Sequence, residues 1–218
     1  MPLNLLKNKW RQISLSAYLD KTERCCKMLE RILIAGSGGQ GIILIGKLFA
    51  SVAVRTIKHV TFFPAYGAEV RGGTSSCEVV LSNEEIASPV SESFDSMIIM
   101  NQDSIVRFAP RKTSNSLILL NSSMCKPLKN GYIVTLPASE LAVKLGDIRI
   151  ANFIMLGAFL SLKKLIPPFN IEDQVRRLFS ERDAAIADMN IRAFRLGLEI
   201  IKEEELHRSK VNRKNAKL

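Results

Sequence analysis

Arg31-Ile32-Leu33-Ile34-Ala35-Gly36-Ser37-Gly38-Gly39-Gln40-Gly41-Ile42-Ile43 reads as a strand, a glycine turn and the start of a helix. Ile32–Ala35 is an uninterrupted apolar run, the pattern of a strand buried on both faces. From Ile42 to Ile57 the apolar residues recur at helical spacing, with Gly46 the weak spot. Between them Gly36, Gly38 and Gly41 stand at the G-x-G-x-x-G spacing. Glycines there permit a tight turn, close approach of a ligand to backbone N–H groups, and close packing of helix on strand, with the helix N-terminus adding about half a positive charge. A dinucleotide site also needs an acid about 20 residues on, at the end of the second strand, to hold the ribose hydroxyls. Here that strand reads His59–Phe63, closed by Pro64, and the first acid is Glu69, beyond a turn. This argues against bound NAD or FAD. Two readings stay open: the loop holds another phosphate or a carboxylate, or it is a packing turn that lets a second backbone come close.

Working outward, short apolar runs alternate with helical ones. Ser75–Ser82, Met97–Met100, Leu117–Leu120 and Tyr132–Leu136 read as further strands. Helices are expected at Gln102–Phe108, Ser139–Leu145 and Arg149–Leu165, a break at Pro167-Pro168, then helices at Ile171–Phe179 and Ala184–Glu205. The alternation predicts right-handed crossovers and an α/β fold: a Rossmann-like, doubly wound, mostly parallel sheet in one domain. The domain is expected over 31–205. Residues 1–30 read as an N-terminal extension whose Leu6, Trp10, Ile13 and Ala17 form one apolar helical stripe, and 206–218 as a basic, disordered tail.

The composition narrows the function. The chain has 218 residues, 47% apolar and 24% charged, enough for a sizeable core and against wholesale disorder. Its net charge of +10 sits mostly at the ends: residues 1–31 hold seven Lys/Arg against three acids, and 202–218 six against three. No basic stripe interleaved with aromatics appears, which argues against nucleic-acid binding. Cys25, Cys26, Cys77 and Cys125 have no CxxC spacing, so neither zinc nor an iron–sulfur cluster is indicated and a reduced, cytoplasmic setting is expected. The longest apolar stretches are too short to span a bilayer, so no membrane is expected.

A second unusual segment, Tyr66-Gly67-Ala68-Glu69-Val70-Arg71-Gly72-Gly73, joins two strands. Gly72 and Gly73 permit positive φ or an anion-gripping nest. Glu69 and Arg71, two apart in extended chain, point to the same face. Taken singly, each residue fits a surface turn with a solvated ion pair worth under about 1 kcal/mol.

Taken together, Gly36-Ser37-Gly38-Gly39-Gln40-Gly41 and Tyr66–Gly73 resemble the gamma subunit of 2-oxoacid:ferredoxin (acceptor) oxidoreductases. Ile86-Ala87-Ser88-Pro89, Met100-Asn101-Gln102, Asn121-Ser122-Ser123, Leu136-Pro137-Ala138 and Asn152–Gly157 agree with that family in order, and the likeness covers about residues 31–200. The resemblance implies oxidative decarboxylation of a 2-oxoacid to an acyl-CoA, with electrons passed singly to ferredoxin. It implies alpha, beta and ferredoxin-like delta subunits as partners, which hold thiamine diphosphate, Mg2+ and [4Fe-4S] clusters. No cofactor is then tightly bound by this chain. Coenzyme A is expected as a contact at Gly36, Ser37, Gly38, Gly39, Gln40 and Gly41. Tyr66, Gly67, Glu69, Arg71, Gly72, Gly73, Asn101 and Asn152 are expected at the interface with the thiamine-binding subunits. Asn121 reads as a helix cap.

The residues themselves fit such a division of labour. Gly146-Asp147 continues as Ile148-Arg149, without the Asn pair that would hold Mg2+ and diphosphate, and His59 and His207 suggest no triad. No catalytic residue or metal ligand is therefore expected. The branched-chain and 2-oxoglutarate types are the nearer likenesses. Two rivals remain: a free-standing nucleotide-binding Rossmann protein, and a non-catalytic adaptor that uses the basic ends.

Overall fold

A computed structural model describes residues 28–66, 73–126, 128, 131–179 and 183–215. Six strands form one sheet: β1 (Leu29–Ser37), β2 (His59–Tyr66), β3 (Thr74–Ser82), β4 (Phe94–Ile99), β5 (Lys112–Asn121) and β6 (Tyr132–Leu136), in the order β2-β3-β1-β4-β5-β6. β4 pairs parallel to β1, β5 to β4 and β6 to β5. β3 runs antiparallel to both β1 and β2, so β1 and β2 are parallel with β3 slotted between them. The mostly parallel sheet is as expected. The departure is this split β-α-β unit, in which the first crossover skips a strand and the hairpin β2–β3 returns to fill the gap.

β1 sits between two strands with Ile32–Ala35 wholly buried, which is why its apolar residues do not alternate. β2 is an edge strand and runs on to Tyr66, through Pro64 rather than ending before it. Only one flank of an edge strand is paired, so a residue without an N–H can sit there without breaking a ladder.

The helices are α1 (Ile42–Ala53), α2 (Gln102–Phe108), α3 (Ala138–Leu145), α4 (Ala151–Lys163), α5 (Pro168–Phe179) and α6 (Ala184–Asn215). α6 continues through Asn215, well into the segment 206–218 read from the sequence as a tail. α4 is apolar all round because it lies between the sheet and α6; Phe153, Ile154, Met155, Leu156, Ala158, Phe159 and Leu160 are at most 1% exposed. Its core continues through α1, α3 and α6. On the opposite face α2 covers a smaller cluster of Leu33, Ala35, Met97, Ile99, Ile118 and Leu120.

On that second face a buried charge holds down the connection from β3 to β4. Glu78 on β3 accepts from Ser91 N–H at 2.8 Å and from the Arg111 guanidinium at 3.1 Å. Arg111 also donates to the Ser91 carbonyl and lies over the Phe94 ring, 4.5 Å from its centroid. Among the described residues no helix is long and apolar enough to cross a membrane.

Candidate functional site at the carboxyl edge of the sheet

Parallel strands end on one edge, so Ser37, Tyr66, Asn101 (beyond β4) and Asn121 all reach the same rim. β3 begins there, which brings the two glycine motifs side by side. Gly36 pairs with Ser75 and Ser37 with Thr74. One step further, the Gly38 N–H donates to the Gly73 carbonyl at 2.9 Å. The turn after β1 and the turn before β3 are thus tied backbone to backbone. Gly67, Glu69, Arg71 and Gly72 lie outside the described residues, as does the N-terminal stripe of Leu6, Trp10, Ile13 and Ala17. Tyr66, at the end of β2, is 74% exposed.

The glycine loop is closely packed. A Cβ on Gly36 would stand 2.5 Å from Gln40 Oε1, 2.8 Å from Ile42 Cδ1 and 2.9 Å from Met100 Cβ. Gly39 and Gly41 take positive φ, 89° and 69°. The Ser37 N–H donates to Gln40 Oε1 at 2.8 Å, and the Gln40 N–H returns to the Ser37 carbonyl at 3.2 Å. α1 then starts without a side-chain cap or an acid in its first turn.

The asparagines serve this rim from within. Asn101 accepts from Ser104 N–H at 3.1 Å, capping α2, and its amide donates to Ser37 Oγ. Asn152 donates to the Gly41 carbonyl at 3.3 Å from the first turn of α4. They are 7% and 2% exposed, so their polar groups act on the chain's own loops. Asn121 accepts from Ser139 N–H at 3.3 Å and donates to Ser139 Oγ at 2.8 Å, capping α3, which follows β6, from the end of β5.

Gly41→Ala meets two obstacles. A left-handed φ costs an alanine about 1 kcal/mol, and its Cβ would stand 2.1 Å from Asn152 Nδ2. The substitution is expected to lower stability by about 2 kcal/mol in urea unfolding, with Gly41→Ala/Asn152→Ala recovering the clash but not the backbone strain.

The split sheet bears on the dinucleotide question. With β3 between them, the end of β2 lies two strand spacings, about 9.5 Å, from β1. The ribose-binding acid of a dinucleotide fold stands on the strand beside the loop; here the start of β3, Thr74-Ser75, occupies that place.

Among the described residues reactive groups are scarce. Burial pushes the Cys77 thiol up to about 12 and the Cys125 thiol up to about 11, so neither is a thiolate at neutral pH. Gly146, with φ 110°, and Asp147 make the turn into α4. The Arg149 guanidinium and N–H, bonded to the Asp147 carboxyl, hold it below its ordinary range. Among the described residues no three His, Cys, Asp or Glu stand together as a metal site. Glu78 and Arg111 escaped the sequence reading. Their signal was a glutamate inside the apolar run Cys77-Glu78-Val79-Val80, a charge that needs a partner once buried.

Comparison with known proteins bears on the fold and the family. The ketoisovalerate oxidoreductase subunit VorA of Methanothermobacter thermautotrophicus is 35% identical over 176 residues, covering 79% of this chain and 36% of that protein. The 2-oxoglutarate synthase subunit KorC of Archaeoglobus fulgidus is 28% identical over 170 residues, covering 78% and 86%. The chain thus spans about a third of the length of VorA. The fold is shared with the keto/oxoacid ferredoxin oxidoreductase gamma subunit of Geobacter sulfurreducens (TM-score 0.67, 24% identity, 80% of this chain and 99% of that one). Residues 31–200, from the first residues of β1 to the buried stretch of α6, match the family described as pyruvate ferredoxin/flavodoxin oxidoreductase, and the chain belongs to that family.

Proposed function

We propose that this chain is the gamma part of a cytoplasmic 2-oxoacid:ferredoxin oxidoreductase, working with alpha, beta and ferredoxin-like delta subunits. The overall reaction splits off the 2-oxoacid carboxyl as CO2, transfers the acyl group to the coenzyme A thiol, and passes two electrons singly to two oxidised ferredoxins. Thiamine diphosphate with Mg2+ and [4Fe-4S] clusters, in the partner subunits, supplies the carbanion and electron-transfer chemistry. This chain's residues build a rim and contribute no reacting group. The observation that carries the reading is the Gly38 N–H to Gly73 carbonyl bond, which joins the family's two glycine motifs at the sheet edge where α/β folds meet their ligands.

The substrate proposed is 2-oxoglutarate or 2-ketoisovalerate, in keeping with the names of KorC and VorA. Tyr66–Gly73 forms the subunit contact, with Glu69 and Arg71 as a pair desolvated across it. The Gly36–Gly41 loop is the proposed coenzyme A contact; an unchanged apparent affinity for coenzyme A in folded Gly38 and Gly41 variants would count against it.

The experiment is to purify the chain with its native companions and assay a panel of 2-oxoacids for coenzyme A-dependent reduction of ferredoxin. Turnover of one of them is expected from the complex and none from the isolated chain. Arg71→Ala is expected to weaken assembly by several kcal/mol, about 3 if both charges are buried at the contact. An assembled, fully active R71A complex would remove that role from the pair.

A further inference from the structure

A glycine loop between a strand and a helix exposes a cluster of backbone N–H groups, and such a cluster ordinarily gains an oxygen ligand from outside the chain. In this loop two of those groups are already engaged by the chain itself: Ser37 N–H with Gln40 Oε1 at 2.8 Å, and Gly38 N–H with the Gly73 carbonyl at 2.9 Å. Gln40 Oε1 also stands where a Cβ on Gly36 would come within 2.5 Å, so its carboxamide lies hard against the turn. Ser37 is gripped at its other polar group as well, since its hydroxyl accepts from Asn101.

We propose that Gln40 is a positioning residue that fills the glycine loop from within. Its carboxamide oxygen takes the place of an anion's oxygen on Ser37, and the loop so shaped presents Gly38 N–H to Gly73. This goes beyond the functional reading above, since it assigns a role inside the loop that holds whether or not coenzyme A touches its outer side. It also gives a physical reason for keeping a phosphate-type turn beside a strand order that leaves no place for a ribose-binding acid: the turn serves as a keystone between β1 and β3. Gln40 suits the task because its side chain is long enough to fold back three residues, and its neutral oxygen accepts an N–H without carrying a charge into the loop.

Hydrogen exchange of the full chain tests this directly. Gln40→Ala and the shape-preserving Gln40→Met both remove the acceptor, and both are expected to speed exchange at Ser37 and Gly38 by about tenfold while leaving β4 and β5 amides unchanged. Gln40→Glu restores an acceptor and is expected to return Ser37 to its wild-type rate. Millimolar inorganic pyrophosphate is expected to slow exchange at Ser37 in Gln40→Ala and to leave Ser37 of wild type unmoved, whatever it does at the loop's outer N–H groups, because only the variant has a vacated position on that N–H. Retained protection in Gln40→Met, no rescue by Gln40→Glu, or an equal pyrophosphate response at Ser37 in wild type and Gln40→Ala would each overturn the proposal. None of these readouts involves turnover, so their failure is distinct from failure of the oxidoreductase assay.

Discussion

Gly157→Ala is expected to cost about 3–5 kcal/mol and to lower the thermal midpoint by roughly 10 °C or more. α4 and α6 cross at a point where each presents a glycine to the other's backbone. A Cβ on Gly157 would stand 2.0 Å from the Phe194 carbonyl oxygen, and one on Gly197 would stand 2.0 Å from that of Ile154. Neither contact is with the flexible end of a side chain, so no rotamer change relieves it; the two helices would have to separate. Separation would loosen the buried layer of Phe153, Leu156, Leu160, Phe194 and Leu198 and stretch the Ser161 Oγ to Leu198 carbonyl bond of 3.2 Å. Gly197→Ala is expected to match Gly157→Ala, and the double variant to lose well under the sum, because one separation accommodates both methyl groups. Urea unfolding of the purified chain checks all three. An alanine at either position that leaves the midpoint in place would show the crossing to be far looser than its backbone contacts imply.

Arg111→Ala is the second large effect expected, about 2–3 kcal/mol. The cost comes less from the lost ion pair than from the carboxylate left behind: Glu78 has a side chain only 9% exposed and, among the described residues, would retain Ser91 N–H as its hydrogen-bond partner. Arg111, at 31% side-chain exposure, admits some water, which keeps the figure below that of a fully buried pair. The diagnostic is the second variant. Glu78→Gln keeps an acceptor for Ser91 N–H but removes the charge, so Glu78→Gln/Arg111→Ala is expected to be more stable than Arg111→Ala alone. If the double variant is the less stable of the two, the stranded charge is not what Arg111 relieves, and its packing over Phe94 carries the effect instead.

Both effects depend on partners that local patterns do not name. The sequence gives Gly157 only a place in the stretch Asn152–Gly157 and gives Gly197 no role. Their necessity appears only when two glycines forty residues apart are seen to meet the backbone of each other's helix. Glu78 is an odd charge in a strand that the sequence reading passed over, and its partner Arg111 lies beyond β4, in the 3-10 turn before β5. The strand positions, by contrast, followed from short-range pattern: the apolar run Ile32–Ala35 and the glycines after it placed β1 and α1, because burial on two faces is a property of neighbouring residues; that Asn101, expected at the subunit interface, caps α2 is a finding of the structure.

Pro64 shows where such reasoning misleads. A proline ends a central strand but is tolerated on an edge, and whether β2 is an edge depends on strand order, which no window of sequence contains. The same holds for the candidate site. Its glycines and Asn101 and Asn152 were legible one by one, but the sequence left open whether the loop was an anion cradle or a turn made for close approach.

By itself, then, the sequence determined the elements, the two glycine motifs and the family, since each rests on residue types at short, regular spacing. The tertiary structure alone decided that β3 enters between β1 and β2, that Gly38 meets Gly73, that Gln40 turns back on Ser37, and that α4 and α6 touch through glycines. These are contacts between segments distant in the chain, where the deciding quantity is which backbone atoms come within bonding distance once the sheet closes and the helices settle on it.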